Sequence, residues 1–152
     1  MASISNDQQL RAALDNLSVE EQRAIGARFA QSVSGLTSNS HLSKALDTAM
    51  EPDPTDEERA EAYKAAKSIA VQTYAACGKD ADWEAQAEHF VASACQAALT
   101  PDTLIVEKQN LAWKAAIQAR MAKNCIMISS GEGDIDNEAL VQYAITEEFT
   151  SG

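Results

Sequence analysis

Apolar residues recur along this chain at three- and four-residue spacings, the mark of helices that bury one side. Over residues 6–17, NDQQLRAALDNL, the stripe is Leu10, Ala13, Leu14 and Leu17, with Asn6 or Asp7 placed to cap it. Residues 18–33, SVEEQRAIGARFAQSV, predict a second helix that carries Val19, Ala24, Ile25, Phe29 and Val33 and stops near Gly35. Ser18 and Glu21 have capping-box spacing, in which the hydroxyl accepts from a free amide and the glutamate reaches back. A short third helix is expected from about Ser40 to Met50, after a loop rich in Ser, Thr and Asn.

Pro52 and Pro54 block continuation of that helix, and Thr55 with Glu58 opens the next one with a second capping box. Acidic residues fill its first turn, where the helix dipole favours them, and Gly78 supplies a left-handed stop. Its apolar side holds Tyr63, Ala66, Ile69, Ala70, Thr73, Tyr74 and Cys77. A fifth helix starts near Asp80 or Asp82 and buries Trp83, Ala87, Phe90, Val91, Ala94, Ala97 and Ala98. Thr100 and Pro101 form a cap and first-turn pair for a sixth over 101–124. There Leu104, Leu111, Ala112, Ala115, Ala119 and Ala122 share one side, and Val106, Trp113 and Ile117 another. A helix apolar over so much of its circumference is central or covered by a partner chain.

The run CIMIS, residues 125–129, fits a helical extension, a short strand or an apolar tail. SGEGD is a break, and DNEALVQYAITEEF gives a last helix with Leu140, Val141, Ala144, Ile145 and Phe149 turned inward. The chain thus reads as all-α, a single globular bundle of six or seven amphipathic helices. One domain is expected over residues 1–152, with a flexible break near 129–134.

Composition agrees with this reading and narrows the partners. Aromatic residues make up 5 % of the 152 residues and alanine is abundant, so core volume must come from aliphatic side chains on closely approaching helices. With 23 acidic against 12 basic residues the net charge is -11, a field that opposes binding to nucleic acid. No segment reaches the ~20 apolar residues of a membrane span, and the N-terminus lacks the pattern of a secretory signal. Cys77, Cys95 and Cys125 form no metal-binding or disulfide spacing. A cytoplasmic protein is expected, with no membrane partner.

Metal chemistry is nominally present in Glu84, Glu88, His89 and Cys95, all on the fifth helix. Ligands from one helix must share a face. With Phe90 at zero, Glu84, Glu88 and Cys95 lie near about 120–160° but His89 lies near about -100°. The helix separates them. His41 has Ser38, Ser40 and Ser43 close in sequence but no nucleophile elbow. GEGDIDNEA fails both as a dinucleotide loop, with Asp136 where the third glycine belongs, and as a calcium loop, with Ala139 and Ile145 at the key positions. Asp134 or Asp136 reads as a helix cap. Lys108, Lys114, Arg120 and Lys123 spread around their helix and are expected to complement the acidic runs at 51–61 and 132–148.

These patterns assign no catalytic, cofactor-binding or metal-binding residue. The expected function is therefore noncatalytic, a helical protein that binds another protein or its own copies. An alternative is an acidic inhibitor of a basic partner, using Glu51, Asp53, Asp56, Glu57, Glu58 and Glu61 or Glu132, Asp134, Asp136, Glu138, Glu147 and Glu148. A third is an enzyme or small-ligand binder whose pocket gathers Tyr63, Tyr74, His89, Cys95 and Trp113.

Overall fold

The structure is a computed structural model that describes residues 4–36, 39–74, 83–106, 109–130 and 138–151. Seven α-helices occupy these residues, with no strand among them: α1 (Asp7–Asp15), α2 (Val19–Ser32), α3 (Ser40–Met50), α4 (Asp56–Tyr74), α5 (Trp83–Ala98), α6 (Leu111–Ser130) and α7 (Glu138–Ser151). They pack against one another as a helical bundle.

Local chemistry sets most of the helix starts. Asn6 caps α1 by accepting from the Gln9 amide at 2.9 Å. At α2 the Ser18 hydroxyl accepts from Glu21 N at 3.1 Å while the Glu21 carboxylate accepts from Ser18 N at 3.0 Å. Thr55 and Glu58 make the same reciprocal pair at α4, with distances of 3.0 and 2.9 Å. Those bonds to Thr55 hold the Glu58 carboxyl below its ordinary range. Asn39 caps α3 through the amides of His41 and Leu42. The expected stop at Gly78, the start of the fifth helix near Asp80 or Asp82, and the caps at Asp134 or Asp136 lie outside the described residues.

The sixth helix begins later than the sequence predicts. Pro101 opens only a single 3-10 turn, Asp102–Leu104, and the chain is extended at Ile105. α6 starts at Leu111, capped by Asn110, whose side chain accepts from Trp113 N at 2.9 Å. Tertiary partners explain the delay. The buried Arg23 side chain donates to the Thr100 carbonyl from Nε at 3.1 Å and Nη2 at 2.8 Å, and it also pairs with Asp102. Gln109 accepts from Val106 N at 3.1 Å, and Gln22 accepts from Leu111 N at 3.1 Å. At its other end α6 runs on through Ser129 and Ser130, so CIMIS is helical. Residues 131–137 lie outside the described part.

α6 is the central helix. It packs along α5, and α2 lies against both. Ala112, Ala115, Ala116, Ala119 and Ala122 of α6 and Ala87, Ala92, Ala94, Ala97 and Ala98 of α5 are all buried, on two helices that pack against each other. Small side chains let helix axes come close, as the composition requires. At Gly26 of α2 an added Cβ would stand 3.4 Å from the Ala115 Cβ and 3.5 Å from the Ala98 Cβ, which shows how near the three backbones run. The core divides into two clusters. One is built from α3, α4, α5, the end of α2 and Ala119 and Ala122 of α6, and the other around Leu10, Leu14, Ile25 and Phe29.

Two predicted faces are rotated. On α2 the expected Val19 and Ala24 are exposed, whereas Arg23, Gly26, Ala27 and Ala30 are buried with Ile25 and Phe29. The close seat against α5 and α6 selects the small residues. On α7 the fully inward positions are Glu138, Gln142 and Thr146, while Leu140 is 60 % exposed and Ala144 is exposed. Val141, Ile145 and Phe149 are half-buried, the last two packing on the second cluster. Gln142 decides the rotation. Its amide donates to the Ala116 carbonyl at 2.9 Å and accepts from Arg120 Nε at 2.8 Å, both on α6.

Candidate functional site

The sequence-level suspects are best placed helix by helix. On α5, Cys95 is buried in the first core cluster, and burial pushes its thiol up to about 12. A thiol so protonated is neither a nucleophile nor a ready metal ligand. His89 faces α4 instead. Its Nδ1 lies 2.7 Å from the Ala70 carbonyl, so that nitrogen carries the proton and donates. Its ring meets Phe90 edge-on, 5.0 Å between centroids. Glu88 is half-buried, and the side chain of Glu84 lies outside the described part. Among the described residues no group of three or more His, Cys, Asp or Glu side chains could hold a metal ion.

Of the residues expected to converge if a pocket were built, those described lie in different surroundings. Tyr63 and Cys95 belong to the first core cluster, whereas Trp113 packs on the second. Trp113 is flanked by Arg11 and Arg120, whose guanidinium carbons stand 5.0 and 5.5 Å from its ring centroid. The side chain of Tyr74 lies outside the described residues. His41 is exposed, and Ser40 and Ser43 line a groove of about 520 Å³ between α2 and α3. Leu42, Leu46, Val91 and Cys95 line its inner side.

On α6, Arg120 finds a partner outside the expected acidic runs. Arg120 pairs with Asp7 of α1 through both guanidinium arms, at 2.9 and 2.8 Å, and Tyr143 of α7 donates to the same carboxylate at 2.8 Å. Arg120 thereby holds the Asp7 carboxyl below its usual range. Lys123 acts more weakly on Glu138, one of the predicted acids, and Lys108 lies outside the described residues. Glu138 itself is 5 % exposed and accepts from the Ser32 hydroxyl at 2.5 Å, so it is not part of an acidic surface. Desolvation pushes its carboxyl up.

A feature that the sequence did not disclose arises where α6 starts late. The crossing from Pro101 to Val106, a 3-10 turn followed by extended chain, projects Leu104, 52 % exposed, and Val106, 67 % exposed, at the edge of a cleft of about 240 Å³. Tyr63, Ser93, Gln96, Gln109, Lys114 and Gln118 line the cleft. Gln96 and Tyr63 join across it, amide to phenol oxygen, at 3.4 Å. In a chain of net charge -11, none of the described residues that line this cleft is a carboxylate. The arrangement offers amide and hydroxyl hydrogen bonds, one ammonium and an apolar rim. Had α6 begun at Pro101, Leu104 and Val106 would have been read as faces of a helix, which is why sequence periodicity concealed them.

No helix of the described residues is long and apolar enough to cross a membrane. Comparison with protein-family models, curated proteins and solved structures finds no match to this chain.

Proposed function

We propose that this chain is a noncatalytic binding protein and that it engages a protein partner through the 101–106 crossing and the cleft beside it. The observation that carries this reading is the pairing of two exposed aliphatic side chains, Leu104 and Val106, with a cleft whose described lining is uncharged apart from Lys114. An apolar rim beside amide and hydroxyl groups suits a peptide segment, which brings both side chains and backbone groups. Tyr63 is the natural anchor, since tyrosine combines contact area with a polar tip. Self-assembly is the less favoured form, because the wide apolar circumference of α6 that argued for it is taken up internally by α5 and α2.

The test compares the parent with a Leu104→Asp/Val106→Asp double variant in capture from extract of the source cell, with light scattering at low and high salt alongside. The expected result is a protein retained by the parent and lost from the double variant, with both chains monomeric. A parent that stays monomeric and retains nothing, or a partner held equally by the double variant, overturns the reading.

A further inference from the structure

A different cleft, of about 290 Å³, lies where the α3–α4 turn, the C-terminal end of α5 and one side of α2 meet. Pro52, Pro54, Leu99 and Phe149 give it apolar walls, and the two prolines fix the turn that forms its lip. Three of the chain's five arginines, Arg23, Arg28 and Arg59, line it. So does a set of acids, Glu20, Glu51 and Asp53. The two sets sit at different depths. The acids are all exposed, whereas Arg23 is 7 % exposed, the Arg59 side chain 17 %, and Arg28 half-buried.

The three guanidinium groups are also differently engaged. Arg23 is committed to the Thr100 carbonyl and to Asp102. Arg59 meets Asp56 at 3.5 Å. Arg28 stands over the Phe149 ring, 5.2 Å from its centroid, and among the described residues no carboxylate lies within the 4.0 Å of an ion pair with it. An arginine held by an aromatic face in a walled cleft presents its donors to an incoming oxyanion. The cleft is near the lower end of the size range of ligand sites, about 300 Å³, and has their composition of apolar walls with a few convergent polar groups.

We propose that this cleft binds a monocarboxylate with an apolar body, the carboxylate on Arg28 and the body against Pro52, Pro54, Leu99 and Phe149. The rim acids select against dianions such as phosphate monoesters and against polyanions, because every further negative charge faces Glu20, Glu51 and Asp53. Cations are disfavoured by the inner guanidinium groups. The carboxylate belongs either to a free aliphatic acid or to the C-terminus of a peptide ending in an apolar residue. This proposal does not rest on the reading of the 101–106 face, although Arg23 lines this cleft and also pairs with Asp102 of that crossing.

Hexanoate, hexan-1-ol, and a short leucine-terminated peptide with free or amidated C-terminus are titrated into the full chain and followed by calorimetry and by amide NMR shifts. Saturable binding of hexanoate or of the free-acid peptide is expected, with the alcohol or the amide about tenfold weaker, the loss of one charge-assisted contact. Arg28→Gln should lose about the same factor and Arg28→Lys less, since lysine keeps the charge without the fork. Circular dichroism and a thermal melt establish that both variants are folded. The free-acid peptide binding tighter than hexanoate identifies a chain terminus as the source, and the reverse a free acid. Equal affinity of acid and alcohol, undiminished binding by Arg28→Gln, or no saturable response to any probe at about 10 mM overturns the proposal.

Discussion

At Cys95 and Glu138 burial acts on two ionisable groups in the same direction, and each has a measurable consequence. Burial pushes the Cys95 thiol to about 12. The native chain should therefore leave Cys95 unlabelled by iodoacetamide at pH 8 while the denatured chain labels it fully, as peptide mapping by mass spectrometry reads directly. Modification of Cys95 in the folded chain within minutes would contradict the burial. Glu138 has its folded pKa raised by desolvation. Its contribution is fully present below the unfolded carboxyl value of ~4.3 and is lost as pH rises through the raised folded value. Glu138→Gln keeps an acceptor for Ser32 and removes the buried charge. Its melting temperature should match the parent near pH 4 and exceed it at pH 7, by the equivalent of roughly 0.5–1 kcal/mol. Asp7 works in the opposite sense, because Arg120 lowers its folded pKa. Its contribution is present above ~3.9 and lost as pH falls through the lowered value. The Asp7 carboxylate is half-exposed, so Asp7→Asn should cost only about 0.5–1 kcal/mol at neutral pH in denaturant titration.

Among the elements, α2 and α6 show how tertiary packing edits a helical pattern. The start of α6 rests on Asn110, and Asn110→Ala should destabilise the chain by about 1 kcal/mol. Thr100→Ala removes a hydroxyl that bonds only back into α5, at 3.1 and 3.0 Å, and should cost less. Were α6 to begin at Pro101 the order would reverse, which chemical denaturation of the two variants decides. On α2, the space at Gly26 admits one methyl at ordinary contact distance and nothing larger. Gly26→Ala should be neutral or stabilising by up to about 1 kcal/mol, through helix propensity. Gly26→Leu should destabilise by about 2 kcal/mol or more, since it forces α2 away from the α5–α6 pair. Equal stability for the alanine and leucine variants would show that α2 does not sit against them so closely.

For the molecule as a whole, part of the net charge of -11 sits on exposed helix starts, with Asp7, Glu20, Glu21, Asp56, Glu57 and Glu58 in the first turns of α1, α2 and α4. Much of the fold was legible in the residues. Capping pairs such as Ser18–Glu21 and Thr55–Glu58 are local devices, so the starts of α2 and α4 follow from side chains three positions apart. Apolar residues at three- and four-residue spacings marked the helices, and the scarcity of aromatics required close contact between helices lined by small side chains. The separation of His89 from Cys95 also followed from sequence, because helical rotation places them on different sides whatever surrounds them. Long-range partners were not legible. Arg23 finds Thr100 and Asp102 some eighty positions away, Arg120 finds Asp7 more than a hundred away, and Gln142 turns a polar side of α7 onto α6. A hydropathy pattern scores such side chains as outward, although a buried polar group with its hydrogen bonds satisfied is stable inside. The two clefts depend on the same long-range choices, since one exists only because α6 begins late and the other because arginines from α2 and α4 meet the end of α7. Sequence by itself determined which segments are helical and how most of them begin, since those are short-range matters of hydrogen bonding and periodicity. Only the tertiary structure decided which faces turn inward and which side chains meet at a surface, since those depend on contacts between residues that the chain order keeps far apart.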